Sequence, residues 1–567
     1  MTERWSTTLT RAALGAVLTA AVILLILTCL GFRPGQIVEM FSHPVTGGTR
    51  TVAAEAPKAP DGQTVLRGFG TLNYTVLAAY LVGMIAIGFV VGRRVKGTRG
   101  YFTADGRVNY IIVGLSLLGT YLSALTMMAL SGWSYGEHNW VFMVQLPFLI
   151  ITAAVITRFV LPRYREAGVI SVYEYLERRI HVSARLLASA SFVIFSVARS
   201  GLVLYLPALA LSTVTGISLP LCIVVMGVII TLYTVIGGIE AVIWTDAVQV
   251  AVIVLGALLT LGCIFSAVGV DRFLEVGLAH NKFRYIVPSA SIAKLTTLWA
   301  VLETIFSTIR IYGTQQDMTQ RYMTTASTEK ANRSVWISII AYIPLGFFFY
   351  FIGTALFVFY REHPVAHLPK PDTMYPFFIV DRLPAGVAGL VIAAIFAAAM
   401  SSIDSLMNSS STVCVEDFYK RLSRRKPSDA SCLSLARWLT VLWGVLAVVM
   451  GLMFMEVTYA QAVWQKIMGI STNGVLGLMA LAFLPFRVNW RAALAGFAVS
   501  YVCLFLMMSA GTDFGIVPLI GGTLTRAAAQ LPSTHFLLYT IVGNTVCFGV
   551  ALAAHALLAR RELPQPA

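Results

Sequence analysis

Ala398-Ala399-Met400-Ser401-Ser402-Ile403-Asp404-Ser405-Leu406-Met407-Asn408-Ser409-Ser410-Ser411-Thr412 places a dense set of polar side chains inside what otherwise reads as one long apolar helix. Ser401, Asp404 and Ser405 stand at i, i+3 and i+4, so they share one face. Ser402 points roughly 100° away from Ser401, because an α-helix has about 3.6 residues per turn. The stretch therefore offers hydroxyl and carboxylate oxygens, the ligand type that hard cations prefer. Close helix packing accounts for the small serines. It does not account for Asp404, since an ionisable group at membrane depth is costly and marks function by default.

The reading outward from this stretch is that of a membrane protein. Of 567 residues, 57% are hydrophobic and only 12% are charged, against about 25% charged in soluble domains. Apolar runs of about 20 residues, enough to cross a hydrocarbon core, recur along the chain. The alternating decamers of a β-barrel do not. Fourteen helices are predicted, near residues 12–32, 72–92, 108–134, 140–161, 186–214, 217–236, 242–268, 294–312, 335–359, 385–416, 434–455, 463–485, 490–509 and 537–558. The basic residues cluster between runs, as Arg93-Arg94-Val95-Lys96, Arg158 to Arg185, Arg321 to Arg333, Lys420 to Lys426, Arg487 with Arg491, and Arg560-Arg561. By the positive-inside rule these loops are cytoplasmic, with both termini inside. The net charge of +15 is thus a topology signal, and no aromatic-interleaved basic patch suggests nucleic acid as a partner. The lipid bilayer is the expected surroundings, the inner membrane the expected location, and a monomer the expected state.

Seven cysteines form no CxxC pair, so neither a zinc site nor a disulfide framework follows. With no HExxH, GxSxG or P-loop in the chain, hydrolase and nucleotide chemistry are not expected. Arg4 and Arg11 precede the first apolar run, which reads as an uncleaved anchor or a signal-like segment.

Three further stretches put polar groups at membrane depth. Gly237-Gly238 through Thr245-Asp246 to Gln249 sets an acid at the start of a long apolar helix, where it either favours the helix dipole or binds a cation. Gly114 to Thr126 mixes Gly119, Thr120, Ser123 and Thr126 into mid-span. That composition suits a broken helix, whose freed carbonyls coordinate Na⁺ in transporters, or merely a flexible packed one. Arg199 lies mid-helix ahead of Leu204-Tyr205-Leu206-Pro207, and a buried guanidinium wants a carboxylate. Asp246, Asp404 or a solute could supply it. Glu303, Arg310 and Lys466 are also deep, with no partner assignable from sequence.

Taken together, Gly237-Gly238 to Gln249, Ser401-Ser402 to Glu416-Asp417-Phe418-Tyr419-Lys420, and Gln315-Gln316-Asp317 with Gln320-Arg321-Tyr322 resemble the sodium:solute symporter family over about residues 72–510. The resemblance implies an all-α LeuT-type core of two inverted five-helix repeats with extra helices at both ends. The organisation it suggests is an anchor at 1–32, an external linker at 33–70, a pre-core helix and loop at 71–107, a first repeat at 108–268, an external loop at 269–293, a second repeat at 294–485, and C-terminal helices at 486–567. It implies Na⁺ as the coupling ion, held by the carbonyls of Gly119, Leu122 and Ala398 and the hydroxyls of Ser401 and Ser402. It implies a second cation site at Asp246, Ser401, Asp404 and Ser405, where Asp404 departs from the family hydroxyl. Leu125 and Thr126 stand where sugar carriers have an acid and an amide. The site is more similar to that of the bacterial sialic acid symporters, in which Ser123, Thr126 and Gln145 would take polar groups of a small anionic solute and Arg199 its carboxylate. Symport of a monocarboxylate, amino acid, sugar or polyol, or a sensor on the same fold, are the alternatives.

Overall fold

The computed structural model describes Arg33, Gln36, residues 69–509 apart from 94–96, 137–139, 293, 366–367, 369, 425–426 and 456–459, and residues 535–561. The predicted helix at 12–32 and most of the 33–70 linker lie outside the described residues. Among those described, every regular element is helical. The helices that matter below are α1 (Gly70–Gly92), α2 (Tyr110–Tyr121), α3 (Ala124–Tyr135), α4 (Val141–Ala167), α5 (Val172–Arg179), α6 (Val182–Thr215), α7 (Leu219–Val268), α8 (Thr297–Thr314), α9 (Gln316–Met323), α10 (Thr328–Glu362), α11 (Val387–Leu422), α12 (Asp429–Met453), α13 (Ala460–Ser471), α14 (Val475–Ala482), α15 (Trp490–Ser509) and α16 (Leu537–Arg561).

α11, which carries the serine-rich stretch, is the hub. Its apolar window is 89% buried inside the protein, against 17% for α1. α6 and α7 pack along it, α2 and α9 meet it, and α12 packs on α6. Outer helices instead present apolar side chains outward, such as Val82, Ile194 and Trp438, as a lipid-facing surface requires.

Two breaks shape the centre. α2 starts at Asn109, whose side chain accepts from the Ile111 N–H, and it stops at Leu122, where ψ swings to 123°. Ser123 is extended as well, and α3 leaves at 52° to α2. Gly119 sits one turn before the break because a Cβ there would lie 3.2 Å from Val250 and 3.4 Å from the Asp246 Cβ. The second break was not anticipated. α8 ends at Thr314, Gln315 is extended (φ −89°, ψ 133°), and α9 restarts at once. The expected cytoplasmic loop at 315–322 is therefore a buried helix packed on α2 and α11.

The predicted helices at 217–236 and 242–268 also join without a loop. The chain turns at Gly238 (φ 58°, ψ −168°), a conformation open almost only to glycine. A Cβ there would also stand 2.9 Å from the Tyr101 ring.

Candidate functional site

The first break and α11 bring five expected oxygens together, with one more. Ser401 Oγ donates to the Gly119 carbonyl at 2.9 Å and lies 3.3 Å from that of Ala398. Ser402 Oγ lies 3.3 Å from the Thr120 carbonyl and 3.4 Å from those of Leu122 and Ala398. Both serines are fully buried. The carbonyls of Gly119 to Leu122 are free to turn this way because the helix stops there. For a cation whose oxygen ligands sit at about 2.3–2.6 Å, as calcium's do, ligands at right angles lie about 3.3–3.7 Å apart. The oxygen spacing here fits such an ion once the two hydroxyl hydrogens turn outward. Thr120 is the carbonyl that sequence reasoning passed over.

Of the second expected set, Asp246 and Ser405 meet a cation that the chain itself supplies, Asp404 joins them through Ser405, and Ser401 Oγ turns instead to the Gly119 and Ala398 carbonyls. Arg321 was expected in a cytoplasmic loop. The structure corrects this: its guanidinium is fully buried, with Nη2 donating to Asp246 Oδ2 at 2.9 Å and to Ser405 Oγ at 2.5 Å, and Nε to Ser116 Oγ at 2.7 Å. The break at Gln315 sends α9 inward, which carries Arg321 beneath α2 and α11. Ser116 Oγ in turn donates to Asp246 Oδ2 at 2.5 Å. Asp404 accepts from the Tyr233 hydroxyl at 2.8 Å and from Ser405 Oγ at 3.2 Å. No hydropathy signal marked Arg321, because Gln-Gln-Asp and Gln-Arg read as solvated loop.

Ser123, Thr126, Gln145 and Arg199 line one cavity of about 90 Å³, together with Glu303 and Trp464. That is room for several waters' worth of solute atoms. The Ser123 N–H donates to Thr126 Oγ1 at 3.3 Å, which fixes the start of α3. Gln145 Oε1 accepts from the Thr304 hydroxyl. Glu303, unplaced from sequence, is on the cavity wall, whereas Arg310 is turned to Thr472 Oγ1 at 2.7 Å.

Arg199 finds neither Asp246 nor Asp404. Its Nη1 meets Asp317 Oδ2 at 3.3 Å, its Nη2 donates to the Thr120 carbonyl at 3.1 Å, and it lies 5.0 Å from the Trp464 ring centroid. It therefore touches a residue just after the second break and the carbonyl just before the first. Ser402 of the sodium-type cluster addresses that same Thr120 carbonyl.

Comparison with known proteins bears on this arrangement. The model of the sodium:solute symporter family matches residues 101–500. The chain is 33% identical over 457 residues to the sodium/sialic acid symporter NanT of Aliivibrio fischeri, covering 79% of this chain and 89% of that one. It is 33% identical over 485 residues to the sodium/sialic acid symporter SiaT of Proteus mirabilis, covering 81% and 96%. It also superposes on a Na⁺-coupled sialic acid symporter solved in a substrate-bound outward-open state, with a TM-score of 0.76 at 30% identity, covering 86% of this chain and 98% of that one. The fold is the LeuT-type one that the motifs implied, and its family consists of carriers rather than enzymes. A multi-pass membrane chain with two broken helices facing a buried arginine, matched across most of its length, belongs to the sodium:solute symporter family.

Proposed function

We propose that this chain couples Na⁺ entry to import of sialic acid, as a monomer in the inner membrane with both termini in the cytoplasm. The observation that carries the reading is the shared Thr120 carbonyl. It links Arg199, on the cavity wall, to the oxygen cluster of Gly119, Leu122, Ala398, Ser401 and Ser402. Na⁺ in that cluster ties α2 to α11, one helix from each repeat (about residues 108–268 and 294–485), and so favours one arrangement of the repeats. The solute carboxylate pairs with Arg199, and Ser123, Thr126 and Gln145 take its hydroxyl and amide groups. Each Na⁺ entering across 100 mV contributes about 2.3 kcal/mol, or about 50-fold accumulation at 1.4 kcal/mol per tenfold.

The second cluster supports one further cation. Asp246 and Asp404 carry two negative charges against Arg321's one, so the balance is one positive charge short. Arg321 already holds Asp246 and Ser405, and like charges 4 Å apart repel by about 4 kcal/mol at an effective dielectric of 20. The added sodium ion or proton therefore belongs on the Asp404 side, beside Tyr233.

Uptake of labelled N-acetylneuraminate into proteoliposomes, with and without an inward Na⁺ gradient, tests the reading. Accumulation only with the gradient is expected. If a thermal-shift panel of monocarboxylates, amino acids and sugars shows Na⁺-dependent binding of one of those and none of sialic acid, the solute assignment is wrong while symport stands. Binding indifferent to Na⁺ throughout overturns both.

A further inference from the structure

A buried guanidinium is costly without a carboxylate, yet a symporter must pass between its outward-open and inward-open forms both with and without its solute. Arg199 faces that problem directly. It is 4% exposed, it lines the cavity, and its Nε has no hydrogen-bond partner among the described residues. Its ionic partner Asp317 is fully buried, with Oδ2 at 3.3 Å and Oδ1 likewise without a partner. A good arginine–carboxylate pair is bidentate with contacts of about 2.7–2.9 Å. This one is neither, so it neutralises charge without using up the hydrogen-bonding capacity of either group.

We propose that Asp317 is the internal counter-ion of Arg199, a positioning residue that holds the guanidinium when no solute carboxylate is bound and yields it when one arrives. The inference rests on the reading that Arg199 receives the solute carboxylate. Asp317 lies in the first turn of α9, two residues after the second break at Gln315. Arg199 is thereby tied to Thr120 on one broken helix and Asp317 on the other. The same pair gives a charge-balance reason for coupling. With Arg199 already neutralised by Asp317, a bound carboxylate leaves one negative charge in excess. The positive charge that restores balance is the sodium ion among the oxygens next to Thr120. Sodium and solute then favour each other because each relieves the other's uncompensated charge, with no larger rearrangement required.

The test is calorimetric binding of N-acetylneuraminate and of its carboxamide to the purified full chain, each with and without Na⁺. In Asp317→Asn, affinity for the acid in the absence of Na⁺ should rise at least tenfold, and the gain from adding Na⁺ should shrink by a similar factor. The carboxamide should bind as it does to the wild type. In vesicles the same variant should keep solute-for-solute exchange but lose most net uptake, since its solute-free form carries an unpaired buried cation. Asp317→Glu keeps the charge on a longer arm, so it should weaken acid binding and leave the carboxamide alone. This variant decides the matter if Asp317→Asn does not fold. If either variant changes acid and amide affinity alike, or Asp317→Asn leaves the Na⁺ gain unaltered, Asp317 only supports α9 and the counter-ion is refuted. Arg199→Ala separates the parent reading. If it binds the acid as the wild type does, Arg199 is not the carboxylate site and both ideas fall. If it abolishes acid binding while the Asp317 results go the wrong way, only the counter-ion falls.

Discussion

α6 holds two buried arginine–aspartate pairs, and they are built to different standards. At its start, Arg185 donates to Asp417 Oδ1 through Nε at 2.8 Å and Nη2 at 2.6 Å, and to Glu177 through Nη1 at 2.7 Å. Asp417 Oδ2 accepts from Ser171 at 2.6 Å and Ser189 at 2.7 Å. Both groups are saturated. Fourteen residues along the same helix, Arg199 and Asp317 share one contact at 3.3 Å, and each keeps an atom without a partner among the described residues. The saturated pair ties α5 and the π-turn Cys414–Tyr419 at the end of α11 to α6. The loose pair borders the cavity. Saturation is what a structural tie needs, because every bond left unmade in low dielectric is a penalty. Unmade bonds beside a cavity are what a ligand group can fill.

Four measurements press on this contrast. Arg185→Ala strands Asp417 and two serines, so the protein should lose about 3–5 kcal/mol of stability, read as a fall in melting temperature or loss of monodisperse material. A variant that keeps the wild-type melting point would show that saturation is not what counts there. Ser402→Ala removes one oxygen from the cluster facing Thr120. At about 1–2 kcal/mol for a buried hydrogen-bonding group, half-maximal activation should need about 5- to 30-fold more Na⁺. Sodium activation curves that overlay those of the wild type would remove Ser402 from the ion site. The double variant Arg199→Gln/Asp317→Asn deletes the loose pair without stranding either charge. Its melting point should move by less than the equivalent of about 1 kcal/mol, while Na⁺-driven uptake of a carboxylate solute disappears. A large loss of stability would put this pair in the same class as the other.

The smallest expected effect is at Glu177, on the exposed side of the saturated pair. Partial burial pushes its carboxyl up, but the guanidiniums of Arg185 and Arg421, each donating at 2.7 Å, hold it below the usual carboxylate value of 4.5. A carboxyl whose folded pKa is depressed adds stability above its unfolded pKa and loses it as pH falls through the folded value. Glu177→Gln should therefore cost no more than about 1 kcal/mol at neutral pH, and that cost should fade as the pH falls through the depressed folded value. Thermal unfolding of both proteins from pH 7 down to about pH 2 checks this, and a difference that does not shrink as the carboxyl protonates would exclude an ionic origin.

Legibility from sequence followed burial in lipid. The serine-rich stretch of α11 and Gly119 to Thr126 stood out because hydroxyls and a carboxylate in an apolar run have no cheap explanation. All five oxygens that the family resemblance implied within them do converge. Asp317 and Arg321 gave no such signal, although both are fully buried. Their neighbours Gln315, Gln316 and Gln320 are polar too, and a short polar stretch between two hydrophobic helices reads as a loop whether it lies in water or in the protein. The boundary expected between 236 and 242 does hold the turn at Gly238, but one residue makes it and no loop separates the two helices.

By itself the sequence determined that this is a helical membrane chain and which of its helices are apolar, since each of these depends on residue type within one continuous segment. Which charge faces which was decided only by the tertiary structure. The partner of Arg199 lies 118 residues away, and that of Arg321 lies 75 residues away. No local pattern encodes such a pairing. It arises when two broken helices are packed against α6, α7 and α11, where buried charges must take the counter-charge that the packing brings within reach.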